Sequence, residues 1–196
     1  MILLTLLLLI LVYIFFIRPR HLRWGAYDSE LKFKYPGDNI VQKPDFDAIR
    51  VITINTKPSD VWKWIIQIGS KRAGWYSIDW IDNGGKPSSD KILPEFQEIF
   101  IGQFISFTTN QKHGLWVMDF KENEYILWTD KEGKSSWIWY FFPYQQNGTR
   151  LVSKLRTKYV WKSFWIVYYL LYDVGDFIMM SKCLKGIKKR AELNNI

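Results

Sequence analysis

Cysteine and histidine are scarce in this chain of 196 residues, which has one cysteine, Cys183, and two histidines. A single cysteine excludes a disulfide within the chain and is typical of a reducing compartment. We interpret Cys183 as a small apolar residue near a helix face. With so few histidine and cysteine side chains, we predict no metal site. The chain also has no P-loop and no dinucleotide-binding glycine pattern, and we predict no cofactor.

Aromatic residues, by contrast, are abundant. They make up 18% of the chain, which contains 11 tryptophans, and hydrophobic residues make up 48%. This composition argues against a disordered chain. So many amphipathic rings indicate an aromatic core, a ligand cavity lined by rings, or contact with a membrane interface. After the first twenty residues, about 175 remain, which is enough for one domain with its own core.

Positive charge exceeds negative charge, with a net charge of +8 and a pI near 9.4. Three explanations fit such an excess of positive charge: binding to nucleic acid, binding to an anionic membrane surface, or solubility alone. The chain shows no zinc-finger spacing and no aromatic-glycine signature of an RNA-binding sheet, so we predict no nucleic-acid partner. An apolar N-terminal segment favours the membrane surface, where each well-placed cation contributes about 1 kcal/mol.

That segment covers residues 1–17 and has only Thr5 and the Tyr13 hydroxyl as polar side-chain groups. As a helix it would be roughly 25 Å long, slightly short of a bilayer core of ~30 Å. Three arginines and a tryptophan follow it and would reach the headgroups: Arg18, Arg20, Arg23 and Trp24. A cleaved signal peptide would need a basic start and a small-residue cleavage site, and neither is present. We therefore predict a transmembrane anchor.

The same arginines predict the orientation of the anchor. No Lys or Arg precedes residue 17, whereas three arginines follow it within six residues. The positive-inside rule then places the folded domain on the cytoplasmic side of a single-pass membrane protein.

The hydrophobic pattern of the remaining chain indicates a linker followed by a folded domain. Residues 18–48 contain Pro, Gly and Asp without a sustained period, which predicts a juxtamembrane linker that crosses the domain surface. A domain over residues 49–192 follows, with a first strand at Ile49–Asn55. A helix then begins at Pro58 and ends at Gly69. A helix near the C-terminus carries Phe177, Met180, Leu184, Ile187 and Ala191 on one face, with Asp173 and Asp176 at its start.

Between these helices the period changes to two, which predicts an antiparallel meander. The candidate strands are Phe104–Thr109, Leu115–Lys121, Tyr125–Thr129, Ser136–Phe142 and Thr149–Tyr159, with a hairpin at Asn147-Gly148. The last strand alternates most clearly. Its apolar face carries Leu151, Ser153, Leu155, Thr157 and Tyr159, and its other face carries Arg150, Lys154, Arg156 and Lys158. We expect the first face to be buried and the second to be wet.

Several short motifs occur in this order. They are residues 57–62 (KPSDVW), 73–80 (AGWYSIDW), 94–97 (PEFQ) with 101–102 (IG), 148–151 (GTRL) and 184–192 (LKGIKKRAE). Over roughly residues 47–192 the chain resembles the START-like helix-grip superfamily, also called SRPBCC or polyketide cyclase/dehydrase-like proteins, in a membrane-anchored branch. The resemblance implies an α+β helix-grip fold, in which a curved antiparallel sheet wraps around a long C-terminal helix and encloses a cavity. Members mostly bind hydrophobic ligands, and some catalyse reactions on them.

The segment 72–82 is the main candidate for a ligand site. As the mouth of a cavity, it would supply rings from Trp75, Tyr76 and Trp80, while Arg72 and Asp79 would orient a polar head group. The alternative is a structural plug, with an Arg–Asp pair that fixes the turn. Two further residues are assigned to the ligand site. Glu95 would be a buried acid, unless it simply caps or pairs, and Trp116 is one of the meander tryptophans, which core packing also explains.

Residues 159–172 form a second apolar segment, too short and too rich in tyrosine for a bilayer span. Its rings, among them Trp161, Phe164 and Trp165, would either dip into the headgroup region or form the buried start of the C-terminal helix. The two histidines, His21 and His113, are predicted to be solvated, and no catalytic residue is assigned.

Three functions remain open. The favoured one is a membrane-anchored protein that binds a hydrophobic small molecule or lipid and has the bilayer as its partner. The second is an enzyme of the polyketide cyclase/dehydrase type that acts on a lipid-like substrate, with Glu95, Asp79 or Tyr76 as acid–base groups. The third is a structural or interaction module whose own aromatic side chains fill the cavity. A cavity volume separates the third from the other two.

Overall fold

The structure is a computed structural model that describes residues 2–159 and 165–193. The chain begins with α1 (Ile2–Val12), a π-helical turn (Tyr13–Ile17), α2 (Arg18–Leu22) and α3 (Asp28–Lys32). Strand β1 (Phe46–Ile54) and helices α4 (Pro58–Ile66) and α5 (Asp79–Asp82) follow, then a 3₁₀ turn at Pro94–Phe96. The remaining elements are β2 (Phe104–Ser106), β3 (Gly114–Lys121), β4 (Tyr125–Thr129), β5 (Ser135–Tyr144), β6 (Gly148–Thr157) and α6 (Trp165–Leu193).

The strands form one antiparallel six-stranded sheet in the order β1-β6-β5-β4-β3-β2. The antiparallel meander and the hairpin before Gly148 are thus confirmed, since Tyr144 lies opposite Gly148. Strand β1 begins three residues earlier than predicted. Strand β2 is shorter than predicted, because the Ser106 hydroxyl donates a hydrogen bond to the Thr108 carbonyl (2.8 Å) and the chain turns there.

Helices α4 and α6 pack on the inner face of the sheet and share one hydrophobic core with it. Trp128, Trp139 and Phe141 are among the largest fully buried side chains in this core. The α6 residues Leu184, Ile187 and Ala191 lie in it as predicted, and Cys183 is buried on the same helix. The architecture is therefore α+β, with a long C-terminal helix against an antiparallel sheet.

Helix α6 begins at Trp165, well before the predicted position. Asp173 and Asp176 are therefore interior positions of the helix, and the prediction that they mark its start is wrong. Their charges are balanced by side chains from elsewhere in the chain. Arg18 forms an ion pair with Asp173, and Arg50 forms one with Asp176.

The N-terminal segment packs on the outer face of the sheet. Glu30 of α3 forms an ion pair with Arg150 of β6, at 2.7 Å, and Arg150 is only 6% exposed. Asp38 likewise forms ion pairs with Lys154 and Arg156. The predicted wet face of β6 is therefore wrong at these positions, because the segment between residues 18 and 45 covers it.

Helices α1 and α2 and the π-helical turn between them follow one another without a break. Within the described part of the chain, no helix has both the length and the apolar character that crossing a bilayer requires. Helix α2 packs on α6 and β1, and His21 at its end is 6% exposed. The prediction that His21 is solvated is wrong, whereas His113 is exposed in the turn before β3, as predicted.

Candidate ligand cavity

A cavity of about 490 Å³ lies between the inner face of the sheet and α6. Ligand pockets usually measure ~300–1,000 Å³. Most of the described residues that line it are apolar or aromatic. They are Trp75, Ser77, Asp82, Phe107, Leu115, Ser135, Trp137, Leu155, Thr157, Lys158, Tyr159, Tyr172, Gly175, Asp176, Met179, Met180 and Cys183.

Aromatic rings form one side of the cavity. Trp75 stacks on Trp137 with ring centroids 5.6 Å apart and planes 11° apart, and Phe107 meets the edge of Trp75 at 5.5 Å. The indole N–H of Trp137 donates a hydrogen bond to the Ser153 hydroxyl (2.8 Å). Leu155 and Thr157 of β6 also line the cavity, so the predicted inner face of this strand is confirmed.

The backbone next to Trp75 is held by an unusual turn. Gly74 has a φ of +84°, and a Cβ there would collide with the Ser88 side chain, which only glycine avoids. The Ser88 hydroxyl accepts a hydrogen bond from the Tyr76 amide (3.0 Å). The motif from residue 73 to residue 80 therefore positions Trp75 rigidly at the cavity.

Helix α6 forms the opposite side. Gly175 has no side chain, and no heavy atom of the described residues lies within 4 Å of the position that its Cβ would take. Met179, Met180 and Cys183 follow on the same helix. Burial and the nearby Asp82 carboxylate raise the pKa of the Cys183 thiol, which therefore stays protonated. The interpretation of Cys183 as a small apolar residue is confirmed.

Of the two carboxyl groups that line the cavity, Asp82 and Asp176, Asp82 has no ion-pair partner among the described residues. It is 5% exposed, its Oδ2 accepts a hydrogen bond from the Ile78 amide (3.3 Å), and its Oδ1 has no hydrogen-bond partner among the described residues. Burial is the main cause that raises the pKa of Asp82, to about 6, and the neighbouring Asp79 carboxylate acts in the same direction. Hydrogen bonds from the Ile78 amide, from the amide of Asp82 itself and from the Ser77 side chain oppose this rise. A desolvated carboxyl group of this kind is typical of functional sites.

Several other polar groups of the cavity have partners. Asp176 forms its ion pair with Arg50, and the Tyr159 hydroxyl donates a hydrogen bond to Asp173 (2.8 Å). The Thr157 hydroxyl donates to the Ser135 hydroxyl (3.2 Å). The Ser77 hydroxyl donates to the Met179 carbonyl (2.9 Å).

Of the seven predicted ligand-site residues, the structure places Trp75 at the cavity. Arg72 lies elsewhere, where its guanidinium donates to the Ile66 carbonyl (2.8 Å) and stacks 4.5 Å from the Phe96 ring, and burial lowers its pKa. Asp79 accepts a hydrogen bond from the Ser88 hydroxyl. The Arg72–Asp79 pair of the plug alternative is therefore not formed.

Tyr76 is buried, but it packs in the core away from the cavity. Its hydroxyl accepts a hydrogen bond from the Gln67 side chain (2.7 Å) and donates to the Trp64 carbonyl (3.3 Å). Burial strongly raises its pKa, so the phenol stays neutral at physiological pH. Its hydrogen bonds have a structural role, as does the Arg190 guanidinium, which lies 4.6 Å from its ring centre.

The remaining three residues of the predicted ligand site also lie away from the cavity. Trp80 is 76% exposed and Glu95 is exposed. Trp116 is half-buried and contacts the Phe104 ring (4.7 Å) and the Lys131 ammonium (4.8 Å). It does so because Leu115 and Val117, its neighbours along β3, point into the core, so alternation turns Trp116 to the other face.

Sequence reasoning missed Asp82, although this residue closes the segment that was singled out. In the structure, the helical spacing of α5 turns Trp80 outward and Asp82 inward, but a helix of four residues is too short for the sequence pattern to show this. Two acidic residues so close together gave no sequence signal as to which of them is buried.

The predicted membrane-contact residues divide into three groups. Arg20 and Arg23 are exposed, and Arg20 donates to the Phe16 carbonyl (2.5 Å). Arg18 pairs with Asp173, and Trp24 packs against Phe177, at 6.4 Å, below the Lys185 ammonium. Trp161, Phe164 and the side chain of Trp165 lie outside the described residues, so their contact with a membrane stays a prediction.

The chain matches no family model, and a search of curated protein sequences also finds no match. It is similar to several solved structures. The solution structure of the KanY protein is 14% identical and has a TM-score of 0.48, with 74% of this chain and 97% of that chain covered. A protein from Mesorhizobium loti is 11% identical and has a TM-score of 0.46, with coverages of 76% and 99%. A polyketide-cyclase-like protein from Corynebacterium glutamicum is 11% identical and has a TM-score of 0.42, with coverages of 76% and 91%.

Proposed function

We propose that this chain is a membrane-anchored protein of the START-like helix-grip type that binds a hydrophobic, lipid-like molecule in its internal cavity. The observation that carries the proposal is the cavity of about 490 Å³ between the sheet and α6. A module filled by its own aromatic side chains would leave no such space. The volume therefore favours a binding function over the structural alternative.

The lining of the cavity supports an apolar ligand. Trp75, Phe107, Trp137 and Leu155 present carbon surface from the sheet side, and Met179 and Met180 present it from α6. Burying apolar surface contributes about 25 cal/mol per Å², so affinity in such a site comes mainly from the removal of water. The flexible methionine side chains adapt to ligands of different shape.

The enzyme alternative loses the acid–base groups that the sequence suggested. Tyr76 is held by structural hydrogen bonds, and Asp79 and Glu95 do not line the cavity. Of the acidic residues in the segment 72–82, only Asp82 lines the cavity. Binding without a reaction needs only the features already described.

The N-terminal helices support attachment to a bilayer. From Leu8 to Ile17 every side chain except Tyr13 is exposed, and all of them are apolar. A soluble protein rarely exposes so long an apolar surface. The predicted orientation, with the domain on the cytoplasmic side, belongs to this proposal and rests on the arginines after residue 17.

The anchor is joined to the helix that lines the cavity. Asp173 of α6 forms an ion pair with Arg18 and also accepts the hydrogen bond from Tyr159, which lines the cavity. The anchor would thus hold the cavity at a fixed position near the membrane, where lipids are available.

Membrane purification of the full chain tests the attachment and the binding function together. We expect the protein to stay in the membrane pellet through an alkaline carbonate wash. After detergent extraction, native mass spectrometry should show a hydrophobic molecule bound to the chain. Release by carbonate would contradict the anchor, and a protein that carries no such molecule even after incubation with lipid extract would contradict the binding function.

A further inference from the structure

Four apolar side chains on the helices that enclose the cavity are exposed. Trp80 and Ile81 of α5 are 76% and 50% exposed, and Val174 and Ile178 of α6 are 40% and 44% exposed. A single exposed apolar side chain is ordinary, whereas a group of them marks an interaction site. We call these four side chains the α5–α6 patch.

The α5–α6 patch lies on the outer side of the cavity wall. None of its residues lines the cavity, but three of them are followed in the chain by a residue that does. The pairs are Ile81-Asp82, Val174-Gly175 and Ile178-Met179. The two helices meet here, because the Ser77 hydroxyl, just before α5, donates a hydrogen bond to the Met179 carbonyl of α6 (2.9 Å). The patch and the cavity are therefore separated by a single layer of helix.

Lysines continue the same face of α6. Residues three and four apart share a face of a helix, and Val174, Ile178, Lys182, Lys185 and Lys189 follow one another at these spacings. All five side chains are exposed. The face therefore changes from apolar to basic along the helix.

The apolar end of this face is the end next to the N-terminal helices. Asp173, which precedes Val174, forms an ion pair with Arg18 of α2. Ile178 lies five residues beyond Asp173, which is about 7.5 Å along a helix axis. The apolar part of the face is thus close to the helices for which we propose attachment to the bilayer, and the lysines are farther from them.

We propose that the α5–α6 patch is a second membrane-contact surface, which enters the boundary between headgroups and acyl chains of an anionic leaflet. The inference rests on the proposed function, because it specifies how the anchored domain meets the bilayer. Tryptophan favours this boundary, since its ring is amphipathic. Lys182, Lys185 and Lys189 would lie at the anionic headgroups. The order of apolar and basic residues along α6 matches a helix whose first part is deeper in the interface.

Other partners fit this surface less well. In a symmetric dimer the patch would face its own copy, and the lysines of the two α6 helices would repel one another. A protein partner would need an apolar centre with an acidic border. A bilayer that contains anionic lipids has both properties, and the N-terminal helices would place it next to the patch.

A fluorescent probe on the full chain tests the contact. Cys183 is buried and its thiol is protonated, so a cysteine introduced at an exposed position can be labelled selectively with nitrobenzoxadiazole. Ile81→Cys reports on the patch. Ile101→Cys is the matched control, because Ile101 is also an exposed isoleucine, at 66%, but lies in the loop before β2. Each labelled chain is reconstituted into vesicles of phosphatidylcholine and phosphatidylserine, with or without nitroxide-labelled lipid as a quencher.

The quencher should act at one position and not at the other. We expect it to remove at least about half of the emission at Ile81→Cys and no more than about a tenth at Ile101→Cys, because an interfacial segment is buried beside the acyl chains. Lys182→Gln with Lys189→Gln, or vesicles of phosphatidylcholine alone, should reduce the quenching at residue 81 at least about twofold. Lys32→Gln with Lys57→Gln removes two exposed lysines outside α6 and should leave the quenching unchanged.

The outcomes separate this inference from the proposed function. Equal quenching at residues 81 and 101, whether strong or weak, overturns the α5–α6 patch as a membrane contact. An unquenched probe at residue 81 together with chemically cross-linked dimers assigns the patch to a second copy instead. Quenching that depends neither on phosphatidylserine nor on the α6 lysines overturns the preference for an anionic leaflet.

The anchor is measured separately by the carbonate wash. A chain that resists the wash but shows no quenching at residue 81 keeps its anchor and has no second contact. Circular dichroism and a cooperative melt establish that each variant is folded. If Ile81→Cys does not fold, Ile178→Cys places the probe on the α6 side of the same patch, and the same comparison with Ile101→Cys decides the inference.

Discussion

Asp82 and Glu30 are almost equally buried, at 5% and 7% exposure, yet their surroundings differ. Glu30 receives two hydrogen bonds from the Arg150 guanidinium, each at 2.7 Å. Asp82 has no ion-pair partner among the described residues; it accepts a hydrogen bond from the Ile78 amide (3.3 Å) and lines the cavity. A paired carboxylate of the first kind holds two parts of a fold together. A buried carboxyl group of the second kind, without a counter-charge, has a raised pKa instead.

The raised pKa of Asp82 predicts a pH dependence of stability. Between the ordinary pKa of 3.8 and the folded-state pKa of about 6, the native protein binds more protons than the unfolded chain. Stability therefore falls as the pH rises from about 4 to 6, and this contribution is constant above that window. Asp82→Asn removes this titrating carboxyl group. The free energy of unfolding of the variant should therefore increase relative to that of the wild type as the pH rises from about 4 to 6.

Urea unfolding in detergent micelles at pH 4.5 and pH 7 measures this difference. Asp90→Asn, at an exposed position, should show the same pH dependence as the wild type. If the difference between Asp82→Asn and the wild type is the same at both pH values, the buried environment assigned to Asp82 is wrong.

Single residues also show the limit of sequence reasoning at the site. The aromatic segment 72–82 predicts three rings at the cavity mouth, Trp75, Tyr76 and Trp80, and of these only Trp75 lines the cavity. Asp82 and Glu95 cannot be ranked in this way, since their burial depends on which side of a short helix or turn faces the core. Periodicity does not resolve a helix of four residues such as α5.

At the scale of elements, the N-terminal segment acts as an outer layer of the sheet. The Arg150 guanidinium lies 4.0 Å from the centre of the Tyr27 ring and forms an ion pair with Glu30. It also donates a hydrogen bond to the Gly25 carbonyl (2.8 Å). Gly25 approaches β1 so closely that a Cβ would collide with the Val51 carbonyl. These contacts hold the segment between α2 and β1 against the sheet.

Removal of the Glu30 carboxylate tests this layer. Glu30→Ala leaves the Arg150 guanidinium buried without its counter-charge, and we expect the free energy of unfolding to fall by about 3 kcal/mol. Denaturant unfolding of the full chain in micelles measures the change.

A matched control uses an exposed pair. Glu132 and Lys134 form an ion pair on the surface, and Glu132→Ala should leave the unfolding midpoint unchanged. Replacing both partners by apolar residues, as in Glu30→Leu with Arg150→Met, should cost less than Glu30→Ala alone. If Glu30→Ala behaves like Glu132→Ala, the N-terminal segment does not stabilise the domain.

The sequence predicts most elements, and it predicts that residues 18–48 cross the domain surface, but it does not predict which residues of the sheet they contact. Strand β4 occupies the predicted Tyr125–Thr129, and the alternation of β6 predicts its inner face. The outer layer depends on the pairing of Glu30 with Arg150, which are 120 residues apart in the chain. Periodicity reports only local structure, so it does not reveal a contact between residues so far apart in the chain.

At the scale of the whole molecule, three features are connected. The N-terminal helices end in α2, whose Arg18 forms an ion pair with Asp173 of α6. Helix α6 lines the cavity, and the sheet that closes the cavity carries the N-terminal segment on its other face. His21 belongs to the same junction. Burial, together with the Arg50 charge, lowers the pKa of His21, so this histidine stays neutral between the two helices at physiological pH.

The cavity itself was expected from the resemblance, but its size was not. Volume depends on how side chains from distant elements pack together, and a single residue such as Gly175 changes it. The space next to Gly175 is the feature that most directly separates a binding protein from a domain filled by its own rings.

Stoichiometric binding to a Gly175 series is therefore the most direct test of the central claim. The full chain, stripped of lipid in micelles, is titrated with radiolabelled 1-hexadecanol and the ligand retained per chain is counted. The wild type and Gly175→Ala should saturate near one molecule per chain, and the alanine should stabilise α6 by about 0.5–1 kcal/mol. Gly175→Phe should retain at least about tenfold less, because its ring occupies the cavity. Equal retention by all three proteins, or retention by none of them, would contradict a ligand-binding cavity.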